Sequence, residues 1–101
     1  MWWARLPPPA GERPVVLLSR NEAYAVRELV TIAPVTTRIR GIPAEVPLEK
    51  AEGLSKVCVA NLDTITTIPK KTLQRRAGEL SVKKLQELEA AIRFALGLEP
   101  V

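Results

Sequence analysis

The chain has 101 residues and no histidine. This excludes the Ser-His and Cys-His nucleophile systems, in which an imidazole takes the proton. There is one cysteine, so no disulfide can form within a single copy. Cys58 lies between Val57 and Val59 in an apolar run and reads as a small buried hydrophobe. Zinc needs clustered Cys, His or carboxylate ligands, and only Cys58 and scattered acids are present, so neither a metal nor a cofactor is expected. Gly11 and Gly41 stand alone, so there is no glycine-rich phosphate loop. The scattered glutamates do not single out a carboxylate pair for sugar chemistry. No stretch is long and apolar enough to span a membrane. The opening Met1-Trp2-Trp3-Ala4-Arg5 lacks the basic region and apolar run of a signal peptide. The expectation is a reducing cytoplasm with no membrane attachment.

What is present is an ordinary globular composition, 47% hydrophobic and 26% charged. The length suits one domain, residues 1–101, with one modest core. A formal net charge of +4 mildly favours an anionic partner.

Residues 1–6 read as a short strand, stopped by Pro7-Pro8-Pro9, which cannot supply ladder donors. Pro14 to Ser19 reads as a central strand buried on both faces. Asn21 caps a short helical turn reaching Arg27. Leu29 to Ile39 is the next strand, with Pro34 implying a bulge or an edge position. Ala44 to Leu48, Lys56 to Ala60 and Thr64 to Ile68 are further strands, and Arg76 to Leu80 is a candidate for one more. The last segment has helical spacing, with Leu85, Leu88, Ile92, Ala95 and Leu96 on one face. Ser81 is its expected N-cap and Gly97 its C′ residue. Lys83 and Lys84 fall in the first turn against the macrodipole and read as solvated surface. Short strands and one closing helix predict a mainly β fold, a small bent antiparallel sheet or barrel with a packed C-terminal helix.

One constellation is left for chemistry. Arg13 stands just before the apolar run Pro14-Val15-Val16-Leu17-Leu18. Downstream runs Ala33-Pro34-Val35-Thr36-Thr37-Arg38-Ile39-Arg40-Gly41. In a continuous strand Thr36, Arg38 and Arg40 would share one face, with Arg13 free to approach. Guanidinium forks and a hydroxyl on one surface suit a phosphate ester. RNA supplies its own nucleophile, the 2′-hydroxyl beside each phosphodiester. A protein then has only to hold that group in line and stabilise charge on the phosphoryl oxygens. Arginine is a poor base near neutrality, so either Arg13 is unusually placed or it stabilises charge while water handles protons. Trp2 and Trp3 point to opposite faces of a strand, one toward the core and one able to stack on a base or a partner.

The order of these segments resembles the MazF/PemK family of toxin endoribonucleases over nearly the whole chain. The matching pieces are Trp2-Trp3-Ala4, Arg13-Pro14-Val15-Val16, Ala33-Pro34-Val35-Thr36-Thr37-Arg38-Ile39, Pro43-Ala44-Glu45-Val46-Pro47-Leu48, Val59-Ala60-Asn61-Leu62-Asp63-Thr64-Ile65 and Gly78-Glu79-Leu80-Ser81. The resemblance implies an SH3-like barrel with a C-terminal helix and a twofold homodimer. It implies cutting of single-stranded RNA (mRNA) without metal, to a 2′,3′-cyclic phosphate and a 5′-hydroxyl, and an antitoxin whose acidic, apolar peptide segment covers the RNA groove. Carried over by position, the catalytic arginine falls on Arg13 and the catalytic threonine on Thr36. Arg38, Arg40, Thr37 and Arg20 become RNA-binding candidates. Two other readings stay open: a gyrase poison on the same barrel, although Leu96-Gly97-Leu98-Glu99-Pro100-Val101 has no tryptophan-ended tail, and a non-catalytic RNA-binding relative.

Overall fold

A computed structural model describes residues 1–18 and 28–98. The expected helical turn from Asn21 to Arg27 lies outside the described residues, as do Arg20 and Tyr24. Among the described residues the elements are β1 (Trp2–Arg5), β2 (Glu12–Leu17), β3 (Leu29–Thr36), β4 (Glu45–Leu48), β5 (Cys58–Asn61), β6 (Thr66–Pro69), β7 (Leu73–Arg76) and one α-helix, α1 (Val82–Ala95). Short 3-10 turns at Lys50–Glu52, Leu62–Thr64 and Lys70–Thr72 connect the later strands.

Every strand pairing among the described residues is antiparallel. The path runs β4-β5-β3-β2-β1-β7, with β6 added on β3. Among the described residues this path does not close on itself, but it bends strongly enough to be barrel-like. The fold is therefore mostly antiparallel sheet with one C-terminal helix, as expected. No helix among the described residues is long and apolar enough to cross a membrane.

β2 is buried on both faces, as its unbroken apolar run predicted. Val16 joins one core cluster with Ala33, Val35, Val46, Leu48, Leu62 and the helical Leu88 and Ala91. Val15 joins a second cluster with Ala4, Val30, Ile32 and Ile68. Burying two adjacent strand residues on opposite faces requires cover on both sides. Here α1 covers one side and the bent sheet itself the other.

Pro34 corrects the expectation of a bulge or an edge. It pairs with Val15 of β2. On its other flank, β3 residues 29–32 pair with β6 and residues 35–36 with β5. Pro34 thus stands where β3 passes from one neighbour to the next, a place where a missing donor interrupts no ladder on that flank.

Two boundaries also differ from the sequence reading. The seventh strand is Leu73–Arg76, and residues 77–80 are irregular. A side chain on Gly78 would place its Cβ 2.0 Å from the Glu52 carbonyl oxygen, and one on Gly53 would lie 2.4 Å from the Ala77 oxygen. Two backbones meet here at a distance that only glycine permits. Helix α1 behaves as a capped helix: the Ser81 hydroxyl accepts from the Lys84 N–H, and Gly97 turns the chain at φ +68°. Its buried positions are Leu88 and Ala91, while Leu85 and Leu96 are more than half exposed or close to it. Lys84 is not solvated surface: its ammonium donates to the Pro47 carbonyl at 2.6 Å and lies 3.5 Å from Glu87, fastening α1 to β4.

Candidate active site

β1 and β2 pair so that Arg13 faces Ala4, and β2 and β3 pair so that Val15 faces Pro34. Continuing the second register by two residues sets Arg13 across from Thr36. By strand alternation both lie on the face that carries Val15 and Ile32, just past the end of that core cluster. Thr36 is also flanked on its other side by Val59 of β5. Two residues far apart in sequence are thus held side by side by three paired strands.

Arg13 and Thr36 together line two adjoining depressions. The larger, of about 320 Å³, is walled by Trp3, Glu12, Thr37, Leu54, Ser55, Lys56 and Cys58. The smaller, of about 190 Å³, is lined also by Pro34, Arg38, Arg40, Asn61 and Thr64. The pair forms the ridge between a mixed apolar and polar hollow and a strongly cationic one.

The Arg13 side chain is half-buried, and its Nε donates to the Ala10 carbonyl at 3.1 Å. That bond ties the guanidinium to the proline-rich loop and fixes its plane. Among the described residues no hydrogen bond or ion pair occupies its terminal nitrogens, which keep the fork geometry suited to phosphate oxygens. The Thr36 oxygen accepts the Arg38 N–H at 3.1 Å. A hydroxyl carries one donor and two lone pairs, so its O–H remains available to a ligand.

The same contact ends the strand. β3 stops at Thr36, and Thr37, Arg38 and Arg40 lie on an exposed irregular segment, not on one face of a continuing strand as expected. The backbone donor that would extend the ladder is satisfied by a side chain. Arg38 and Arg40 still reach the smaller depression, but by a turn of the chain. Thr37 lines the larger one. The structure therefore brings together Arg13, Thr36, Thr37, Arg38 and Arg40, and Arg20 falls outside the described residues.

Sequence reasoning missed several residues in or beside the walls. Arg75 of β7 sits over the Trp3 ring, 5.0 Å from its centre, and pairs with Glu12 at 3.3 Å, while Arg5 approaches Glu12 at 4.0 Å. Glu12 enters the larger depression with its charge balanced by arginines. Trp2 packs against the second core cluster, so the two tryptophans divide as their alternation predicted. Asn61, which caps the Leu62–Thr64 turn by accepting from Asp63 N–H at 2.9 Å, had no signal beyond its place in the quoted motif. Cys58 is buried in the first cluster, and burial raises its thiol above the usual value, with Lys56 opposing the shift. Among the described residues no group of three or more Cys, Asp or Glu is placed to hold a metal ion.

Comparison with known proteins shows the family. Residues 1–96 match the family model described as the PemK-like, MazF-like toxin of type II toxin-antitoxin systems. The chain is 37% identical over 87 residues to the endoribonuclease MazF3 of Mycobacterium tuberculosis, covering 86% of this chain and 84% of that one. The structure matches the M. tuberculosis toxin MazF-mt6 with a TM-score of 0.90 at 34% identity, over 98% of this chain and 97% of that one. It also matches a mycobacterial endoribonuclease solved in complex with its cognate antitoxin, with a TM-score of 0.83 at 26% identity, over 99% of this chain and 95% of that one. With the sheet, the arginine–threonine ridge and these matches in hand, the chain belongs to the PemK-like, MazF-like toxin family.

Proposed function

We propose that this protein is the toxin of a type II toxin-antitoxin pair, an endoribonuclease that cuts single-stranded RNA, including mRNA, without a metal. The carrying observation is the Arg13–Thr36 ridge, which lines both depressions. A phosphodiester laid on it meets a guanidinium fork from β2 and a hydroxyl donor from β3. Its neighbouring phosphates and bases have a cationic hollow on one side and a mixed hollow on the other.

In this reading the RNA 2′-oxygen attacks the adjacent phosphorus, the phosphorus–5′-oxygen bond breaks, and the products are a 2′,3′-cyclic phosphate and a 5′-hydroxyl. Arg13 neutralises charge developing on the phosphoryl oxygens. Thr36 donates to one of those oxygens or positions the 2′-hydroxyl. Water takes the proton from the 2′-hydroxyl and returns one to the leaving oxygen. Arg38, Arg40 and Thr37 hold flanking nucleotides. The protein acts in the cytoplasm, as a homodimer, and is silenced by an acidic, apolar antitoxin segment. Exposed Val82, Leu85, Phe94, Leu96 and Leu98 give a second copy apolar surface to cover. MazF3 and the mycobacterial protein solved with its antitoxin are named endoribonucleases, and nothing on the chain favours the gyrase or the non-catalytic reading over that one.

The test is digestion of a long mixed-sequence RNA in EDTA, followed by sequencing of the 5′-hydroxyl ends. Wild-type protein gives discrete ends at a short recurrent sequence. Arg13→Ala lowers the rate by about 10²–10³. No cleavage by wild type, or full activity in the variant, would overturn the reading.

A further inference from the structure

Among the described residues the segment that carries Arg38 and Arg40 has no strand partner, yet it is not left loose. Glu45, the first residue of β4, receives it. One carboxylate oxygen accepts the Arg40 N–H at 3.0 Å and the Gly41 N–H at 2.9 Å, and the other accepts the Arg40 N–H at 3.3 Å. Below the carboxylate, the Glu45 N–H donates to the Ile42 carbonyl at 3.0 Å and closes the turn. Glu45 is itself fixed, since β4 pairs with β5 from Glu45–Asn61 to Leu48–Cys58.

The choice of atoms is informative. A carboxylate beside two arginines would ordinarily bind a guanidinium. Here it binds backbone donors, and among the described residues neither Arg38 nor Arg40 has an ion-pair partner. An acidic side chain next to an anion-binding hollow also repels that anion, so its presence has to be offset by something it supplies. What it supplies is the path of the chain: from Thr36, whose oxygen holds Arg38 N–H, to Gly41, with both guanidinium-bearing residues suspended between two fixed points.

We propose that Glu45 is a positioning residue for RNA. It pegs the backbone of Arg40 and Gly41 so that the Arg38 and Arg40 side chains line the smaller depression and engage flanking phosphates. The peg costs nothing in free cationic donors, because it uses none. This inference rests on the RNA reading of the ridge.

The test separates the two. Binding of a labelled single-stranded RNA is measured by fluorescence anisotropy in an Arg13→Ala background, where cleavage is suppressed, across a salt series. Cleavage by otherwise wild-type protein is measured beside it. Glu45→Ala weakens binding about tenfold and flattens the salt dependence toward that of Arg40→Ala, each lost phosphate contact lowering the slope by about 0.7. Glu45→Gln, which keeps an acceptor oxygen but not the charge, falls between. In cleavage, KM rises while kcat changes little, and the Glu45→Ala effect vanishes when Arg38 and Arg40 are already alanine. Unchanged binding in both Glu45 variants overturns the proposal. So does an equal loss with and without the two arginines, which would mark a structural role. If Glu45→Ala fails to fold, Glu45→Gln alone decides by the same two criteria. RNA binding that depends on Glu45 without any wild-type cleavage would refute the nuclease reading and leave the peg standing.

Discussion

The Thr36 hydroxyl oxygen accepts the backbone N–H of Arg38 at 3.1 Å. The bond orients the threonine by occupying a lone pair, and it directs the O–H hydrogen elsewhere. Thr36→Val keeps the shape and removes the donor, so single-turnover RNA cleavage should fall by about 10²–10³, in line with the loss of one transition-state donor. Thr36→Ser keeps both roles and should stay within about tenfold of wild type. A Val variant that cuts at the wild-type rate would remove Thr36 from the site.

The pH profile carries a second expectation. With no histidine in the chain, no imidazole can impose an inflection near neutrality. The Met1 amine is pushed below its usual value, chiefly by burial, with Arg76 adding to the shift and Glu79 opposing it. It donates to the Gly78 carbonyl and lines a separate depression, away from Arg13 and Thr36. If water carries the protons, log(kcat/KM) rises smoothly between about pH 6 and 8, without a bell. A clear optimum in that interval would demand a side-chain base.

Gly78 is a stability test. Its added Cβ would fall 2.0 Å from a backbone oxygen, which cannot swing aside as a flexible side chain could. Gly78→Ala should destabilise the fold by about 1–3 kcal/mol or more, read from urea denaturation. A midpoint equal to wild type would show that the two backbones part easily.

Cys58 offers a chemical probe of the larger depression. Burial raises its thiol, so less thiolate is present at a given pH. A thiol reagent at pH 8 should modify native protein about tenfold or more slowly than urea-unfolded protein. Equal rates would mean that the wall beside Lys56 opens readily.

Much of the fold was legible because local pattern and tertiary demand coincide. Val15 and Val16 declared a doubly buried strand, and Ser81 and Gly97 bracketed the helix. Arg13 and Thr36 could be singled out as candidates because the missing residue types left few alternatives, and the structure brings the two together. The failures share a physical origin in contacts distant along the chain. Nothing near Arg38 announces that its N–H goes to a side-chain oxygen and not to a ladder. Nothing near Arg76 says that the Ala77 and Gly78 N–H groups turn to the Met1 carbonyl and end β7. Nothing near Glu45 announces that its carboxylate receives the Arg40 and Gly41 N–H groups.

The crossing of Glu52–Gly53 with Ala77–Gly78 has a consequence for how such a toxin could change its target. Ser55, Lys56 and Val57 are exposed immediately after that crossing, and β5 takes up the chain again at Cys58. This short panel is anchored at both ends, and its Ser55 and Lys56 wall the larger hollow while contributing little to the core. Exchanging Ser55 and Lys56 should change the lining of that hollow while leaving the strand pairing that sets Arg13 beside Thr36 intact. The crossing thereby holds the panel in place independently of β2 and β3, the strands that carry Arg13 and Thr36.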